Sequence, residues 1–202
     1  MIQKYDSELG KKVQLMLIGK GLEKERLKTA TDTDEHSISQ AFSTILKSLG
    51  LTTSEFDETP ARVAKLFCRE VFDGLDYSKF PACTLIANEF DYGSPISQKN
   101  INVMSFCEHH FLPFEGTADI SFIPKNNQII GLSNLDKIVN FFSRRPQIQE
   151  RLTAQIFETL KFLLNTDDVI VKINAKHSCV SLRGQNTNNT LTETIVSGGR
   201  FK

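Results

Sequence analysis

The sequence predicts an α+β fold in which helices cover one face of an antiparallel sheet, behind a helical N-terminal region. Three observations carry that expectation. Apolar residues recur at helical spacing through the first 80 positions, the period shifts towards two after Pro81, and two further helical stretches then interrupt the strands. The 202 residues are enough for one domain with a sizeable core. The 24 Lys+Arg balance 24 Asp+Glu, with both signs mixed in each half, so the chain lacks the basic excess of a nucleic-acid binder. No apolar run approaches the roughly 20 residues that span a bilayer. The apolar stretch 13–19 follows Asp6 and Glu8 and precedes no small-residue cleavage site, which argues against an export signal. A soluble, cytoplasmic protein is expected, with neither nucleic acid nor membrane as a partner.

The N-terminal helical region is placed at 1–80. A loose stripe of Val13, Leu15, Leu17 and Ile18 suggests a helix over 8–28. Ile38, Phe42, Ile45, Leu46 and Leu49 define an amphipathic helix that stops at Gly50. Thr59 as N-cap and Pro60 at the first helical position open the next, which continues through Val63, Leu66, Phe67, Val71 and Phe72 and ends near Gly74. The second region, 81–202, starts with strands at 84–90 and 101–106 around the turn Tyr92-Gly93-Ser94-Pro95. Residues 116–123 alternate, with Ala118, Ile120 and Phe122 opposing Thr117, Asp119 and Ser121. A helix after Ser133 turns Leu135, Ile138, Val139 and Phe142 inward. Pro146 opens another, with Ile148, Leu152, Ile156, Leu160 and Leu164 about one turn apart. Strands at 169–182 and 190–196 close the chain.

Four cysteines in a chain of this size without an export signal do not suggest disulfides. Three of the four histidines lie within three residues of Cys107 or Cys179. In a turn, Cys107-Glu108-His109-His110 brings Cys107 and His110 to one ion and points His109 elsewhere. Alternation along a strand over 169–183 would put His177, Cys179, Ser181 and Arg183 on one face, making Cys179 a third ligand. Two thiolates and an imidazole suit Zn²⁺ better than Mg²⁺ or Ca²⁺. Three ligands with no obvious fourth are the pattern of a catalytic site that activates water. A structural site would need Cys68 or Cys83, which read as packing residues, and spacing alone also allows no metal at all. His109 and His177 would supply proton transfer. Arg62 with Lys65, and Arg144-Arg145, are either solvated or anion-binding, whereas Arg183 on the metal face could hold a phosphate. Glu150 at a helix start is explained equally by the helix dipole and by two N–H bonds from a guanine edge.

Longer motifs add a resemblance. Ser105-Phe106-Cys107-Glu108-His109-His110-Phe111-Leu112-Pro113-Phe114, Gly131-Leu132-Ser133, Ser143-Arg144-Arg145-Pro146-Gln147-Ile148-Gln149-Glu150-Arg151-Leu152-Thr153 and His177-Ser178-Cys179 closely resemble GTP cyclohydrolase I, in order and at similar spacing. The upstream Thr59-Pro60-Ala61-Arg62-Val63-Ala64-Lys65 and Gly74-Leu75-Asp76-Tyr77 match as well, so the resemblance runs from about residue 35 to 201. It implies the tunnelling fold, a ring-shaped homodecamer with sites at subunit interfaces, and conversion of GTP to 7,8-dihydroneopterin triphosphate with release of formate, the entry to folate-type pterins. By motif position, Cys107, His110 and Cys179 would hold zinc. His109 would protonate the purine's imidazole ring as water attacks C8, and His177 would act as acid and base in ring opening and the later sugar rearrangement. Glu150 with Gln149 would recognise guanine, Ser133 would lie near the ribose and phosphates, and Arg183, Arg62, Lys65 and Lys137 would hold the triphosphate.

Two departures from that pattern carry expectations of their own. Asn134 stands where the family commonly has Lys, which would remove one charge-assisted contact of roughly 1.5–3 kcal/mol. Lys202 soon follows Ser197-Gly198-Gly199-Arg200-Phe201, where relatives continue into a further helix, so part of the packing or oligomer contact would differ. These departures support an alternative, a catalytically weak paralogue that binds zinc or nucleotide as a structural or regulatory subunit.

Overall fold

A computed structural model of the chain describes residues 4–24, 32–183 and 190–202. Helix α1 spans Ser7–Gly19, with the Asp6 side chain accepting the Leu9 N–H as its N-cap. It ends in a Schellman turn: Gly21 at φ 71° donates to Ile18 O while Leu22 donates to Leu17 O. The helix is therefore shorter than the expected 8–28, of which 25–28 lie outside the described residues. Helix α2, Asp32–Ser48, stops at Gly50 by the same device, with φ 77° and bonds from Gly50 to Lys47 O and from Leu51 to Leu46 O. Helix α3, Thr59–Lys65, begins one residue earlier than predicted, since Glu58 rather than Thr59 precedes it, and it continues as a π-helical segment, Leu66–Val71.

The main sheet has five strands in the order β5-β2-β3-β6-β7, comprising β2 (Ile96–Cys107), β3 (Pro113–Phe122), β5 (Pro146–Gln147), β6 (Val169–His177) and β7 (Thr192–Ser197). All neighbours are antiparallel except the short parallel pair β5-β2. A second, two-stranded sheet pairs β1 (Leu85–Ala87) with β4 (Gln128–Ile130). Helices α4 (Leu132–Ser143) and α5 (Gln149–Leu164) pack on the main sheet.

Period-two strands meeting period-3.6 helices make one core. Ile101, Val103, Ala118, Ile120, Phe122, Val171 and Ile173 point from the sheet towards Leu135, Ile138, Val139 and Phe142 of α4 and Leu152, Ile156 and Leu160 of α5, all buried. Burial of each large apolar side chain contributes about 1.5–3 kcal/mol. The helix faces are those the periodicity predicts. Pro146 departs from expectation, since it forms a β bridge beside Phe106 and leaves Ile148 to precede α5.

Rings join the N-terminal helices to the end of β2. Phe72 meets Phe106 at 5.2 Å and Phe111 at 6.0 Å, and Phe67 stacks on Phe72. An apolar groove of about 840 Å³ opens between α2, α3 and Phe111. Among the described residues, no helix is long and apolar enough to cross a membrane.

Candidate metal centre and active site

Strand β2 ends at Cys107, and β3 begins at Pro113. The intervening turn closes on itself: Cys107 N–H donates to Leu112 O and Phe111 N–H to Cys107 O, both at 2.8 Å. Phe111 takes up the left-handed conformation that the tight reversal requires, at φ 54°. Parallel strand β5 staples the other side, with Glu108 N–H donating to Gln147 O at 3.0 Å. The Glu108 carboxylate pairs with Arg151, whose Nε donates to Gln147 Oε1 at 2.9 Å.

The third thiol arrives differently from the expectation. Strand β6 stops at His177, and Ser178–Ser181 form a single helical turn, α6, so the strand predicted to continue to 182 does not exist. Strand alternation therefore cannot align Cys179, Ser181 and Arg183 with His177. The helical turn instead swings Cys179 towards the β2–β3 turn, and the donor atoms of Cys107, His110 and Cys179 all lie within 4.8 Å of one another. Val180 and Leu182, which a strand would turn towards the core, are exposed.

Two buried thiols and one exposed imidazole form a soft, compact donor set, which fits a Zn²⁺ ion. Burial, together with a hydrogen bond to the Cys107 thiol, holds the Cys179 thiol above its ordinary pKa, and Arg183 opposes the rise. His109 lies beside the cluster, its Nδ1 3.8 Å from Cys107 Sγ. His177 faces Phe114 across the β3–β6 register, its ring stacked at 4.6 Å and 14°. Burial holds the His177 pKa below its ordinary value, with the Glu150 charge opposing the shift.

The other candidates sort by element. Glu150 is exposed in the first turn of α5, open to a ligand. Gln149 is buried, with its carboxamide bonded to His177, Ile173 O and Thr192 O, so this side chain does not project towards a base as expected. Ser133 and Lys137 are exposed on α4. Lys137 lines a cavity of about 490 Å³ with Lys4, Lys79 and Arg144, and none of the three metal-ligand candidates lines it. Arg62 and Lys65 are exposed on α3, where Arg62 pairs with Glu58. Asn134 is 4% exposed, donates to Thr84 O and accepts from Lys137 Nζ at the start of α4. Residues that sequence reasoning missed are Phe114, Gln147 and Arg151. Phe114 was accessible from hairpin register, whereas the other two act through hydrogen bonds that no spacing reveals.

The model of the GTP cyclohydrolase I family matches residues 38–202. The chain belongs to the GTP cyclohydrolase I family. The mixed helix-and-sheet architecture is accordingly the tunnelling fold of that family. Among curated relatives, a protein named GTP cyclohydrolase 1 from Vibrio cholerae serotype O1 is 43% identical over 97% of this chain and 92% of its own length. Its namesake in Shewanella amazonensis is 42% identical over the same shares, and that of Shewanella baltica strain OS185 is 40% identical. A solved structure, an archaeosine synthase QueF-Like in the apo form, covers 52% of this chain and 95% of its own at 20% identity and a TM-score of 0.41.

Proposed function

We propose that this chain, a GTP cyclohydrolase I by family, converts GTP to 7,8-dihydroneopterin triphosphate and formate at the Cys107–His110–Cys179 cluster, with zinc as its resident metal. One observation carries the reading: in a member of this family, three soft donors converge within 4.8 Å, flanked by His109 and by the stacked His177. Zinc held by the three residues would supply a Lewis acid able to activate water at neutral pH.

The chain's own residues do the rest. Glu150, exposed at the start of α5, accepts the two N–H groups of the guanine edge, a donor pattern adenine lacks. Gln149, the residue before it on α5, is bonded to His177, so a base held by Glu150 would lie on the same helix start that carries that contact. His109 delivers a proton to that ring as C8 is attacked, and His177 relays protons in ring opening and in the sugar rearrangement. Arg183, Arg62, Lys65 and Lys137 neutralise the triphosphate, with Ser133 at the ribose side. These cations lie on α3, on α4 and after α6, and self-association as a homodecamer would gather them from neighbouring subunits. The cytoplasm, where GTP is abundant and thiols stay reduced, is the fitting compartment.

The test is incubation of zinc-loaded protein with GTP, following pterin fluorescence and formate together. Turnover is expected in the wild type, while His109→Ala should retain zinc and lose formate release by about 100-fold or more. Zinc-loaded, assembled wild-type protein that binds GTP without releasing formate would sink the proposal.

A further inference from the structure

The Gln149 carboxamide joins three elements. Its Nε2 donates to the carbonyls of Ile173 (3.0 Å) and Thr192 (2.9 Å), with Thr194 Oγ1 at 3.2 Å, while its Oε1 lies 2.9 Å from His177 Nε2. A carboxamide can in general be turned end for end, and the hydrogen-bond network decides which way it sits. Here the turned form would aim Oε1 at two backbone carbonyls, lone pair against lone pair. The residue is 2% exposed, so solvent could not relieve that repulsion. Oε1 is therefore the atom facing the imidazole. An amide oxygen only accepts, so the ring nitrogen opposite it must carry a hydrogen.

We infer that Gln149 is a positioning residue that holds neutral His177 in its Nε2–H tautomer, leaving Nδ1 as the nitrogen whose lone pair is available for proton transfer. The ring plane is fixed separately by the stacked Phe114, which the β3–β6 register sets opposite His177. With the plane fixed by one contact and an edge by the other, the identity and direction of the reactive nitrogen are both determined. Both Nε2 hydrogens are engaged by protein acceptors, which removes the carboxamide's donors from substrate recognition. The first turn of α5 thus divides its labour: Gln149 orients the imidazole from inside, and Glu150 stays exposed for the ligand. The catalytic consequence rests on the proposed role of His177, whereas the tautomer can be read without turnover.

The experiment uses zinc-loaded protein carrying ¹⁵N,¹³C-histidine, studied by magic-angle-spinning NMR so that assembly size does not matter. The chain has four histidines, and the signals missing from His177→Asn assign the ring. At a pH of about 8, where an ordinary imidazole is neutral, the hydrogen-bearing nitrogen of His177 should be Nε2. Gln149→Met, similar in length but with no strong acceptor, should populate the Nδ1–H form and lower kcat for GTP by about 10- to 100-fold, with KM changed by less than about threefold. A wild-type ring protonated at Nδ1 or mixed between tautomers overturns the inference, and this spectrum decides even if the variant does not fold. An unchanged tautomer in Gln149→Met, or a raised KM with kcat intact, overturns it too, the latter marking Gln149 as a substrate contact. Wild-type protein that shows the Nε2–H tautomer but releases no formate defeats the proposed function and leaves the positioning of His177 standing.

Discussion

Arg145 is the most completely buried cation described in the chain, and its replacement by Met should be among the most damaging single changes. Its side chain is 1% exposed and that of its partner Glu23 is 6% exposed, with Nη1 2.7 Å from Glu23 Oε2. Nη1 also donates to the Tyr77 hydroxyl at 3.3 Å and Nη2 to Gly74 O, while the guanidinium lies 4.8–5.1 Å from the ring centres of Phe141, Phe142 and Tyr77. Burial raises the Tyr77 pKa, so the phenol stays protonated and donates to Glu23 at 2.8 Å. Removing one member of a buried pair leaves the other desolvated and uncompensated, at a cost of about 3–5 kcal/mol. For a chain of this length each kcal/mol is about 2–4 °C in Tm, so Arg145→Met should lower Tm by roughly 6–20 °C. The double variant Arg145→Met with Glu23→Gln should recover much of the loss, because no buried charge then remains unpaired. Circular-dichroism melts at one fixed chain concentration measure both, since self-association would make Tm depend on concentration. A single variant that loses less than about 1 kcal/mol, or a double variant no better than the single, would refute the reasoning.

Three further outcomes follow from the same geometry. A Cβ at Gly116, in the centre of β3, would lie 1.9 Å from Asn174 O and 2.6 Å from Ala175 Cα, backbone atoms of β6 that cannot step aside. Gly116→Ala should therefore cost several kcal/mol, at least about 3, and reduce soluble yield, read by urea unfolding. The Asp168 pKa is lowered, first by the Arg200 backbone N–H and then by its guanidinium, so its contribution is present above the ordinary carboxylate value and lost as pH falls through the lowered one. Asp168→Asn should thus destabilise by at most about 1 kcal/mol at pH 7, the pair being open to solvent, and the difference should close below roughly pH 4 in parallel melts. Arg151→Ala, which releases Glu108 and Gln147 at the β2–β3 turn, should weaken retention of the proposed zinc about 10- to 100-fold in chelator competition, with the fold intact by circular dichroism.

How much of this was readable beforehand depends on whether a residue's role is local. The buried faces of α4 and α5 were legible because a long period-3.6 pattern has few alternative solutions. Gly50 was legible because a Schellman turn needs φ > 0. The segment after His177 was misread because Val180 and Leu182 alternate with polar neighbours as a strand would, yet both are exposed and support no strand face. Pro146 was misread because a proline that suits the first turn of a helix also suits the end of a short edge strand, where no ladder N–H is required.

The site divides along the same line. Cysteine and histidine declare themselves in sequence because few other side chains ligate zinc, so Cys107, His110 and Cys179 could be grouped although the assumed route to Cys179 was wrong. The ligand set tolerated that error because a strand and a single helical turn can both deliver a side chain to the end of β2. Gln149 had no such signature. Only the family resemblance paired it with Glu150 in reading guanine, and the positions of Ile173 O and Thr192 O turn it inward. Donor chemistry is thus fixed by residue type, whereas the direction in which a donor or acceptor is used is fixed by the backbone of two other strands. Damage around the site should rank accordingly. Changes at the ligands should abolish metal binding outright, while changes at Gln149 or Arg151 should leave the residues of the centre in place and degrade its orientation.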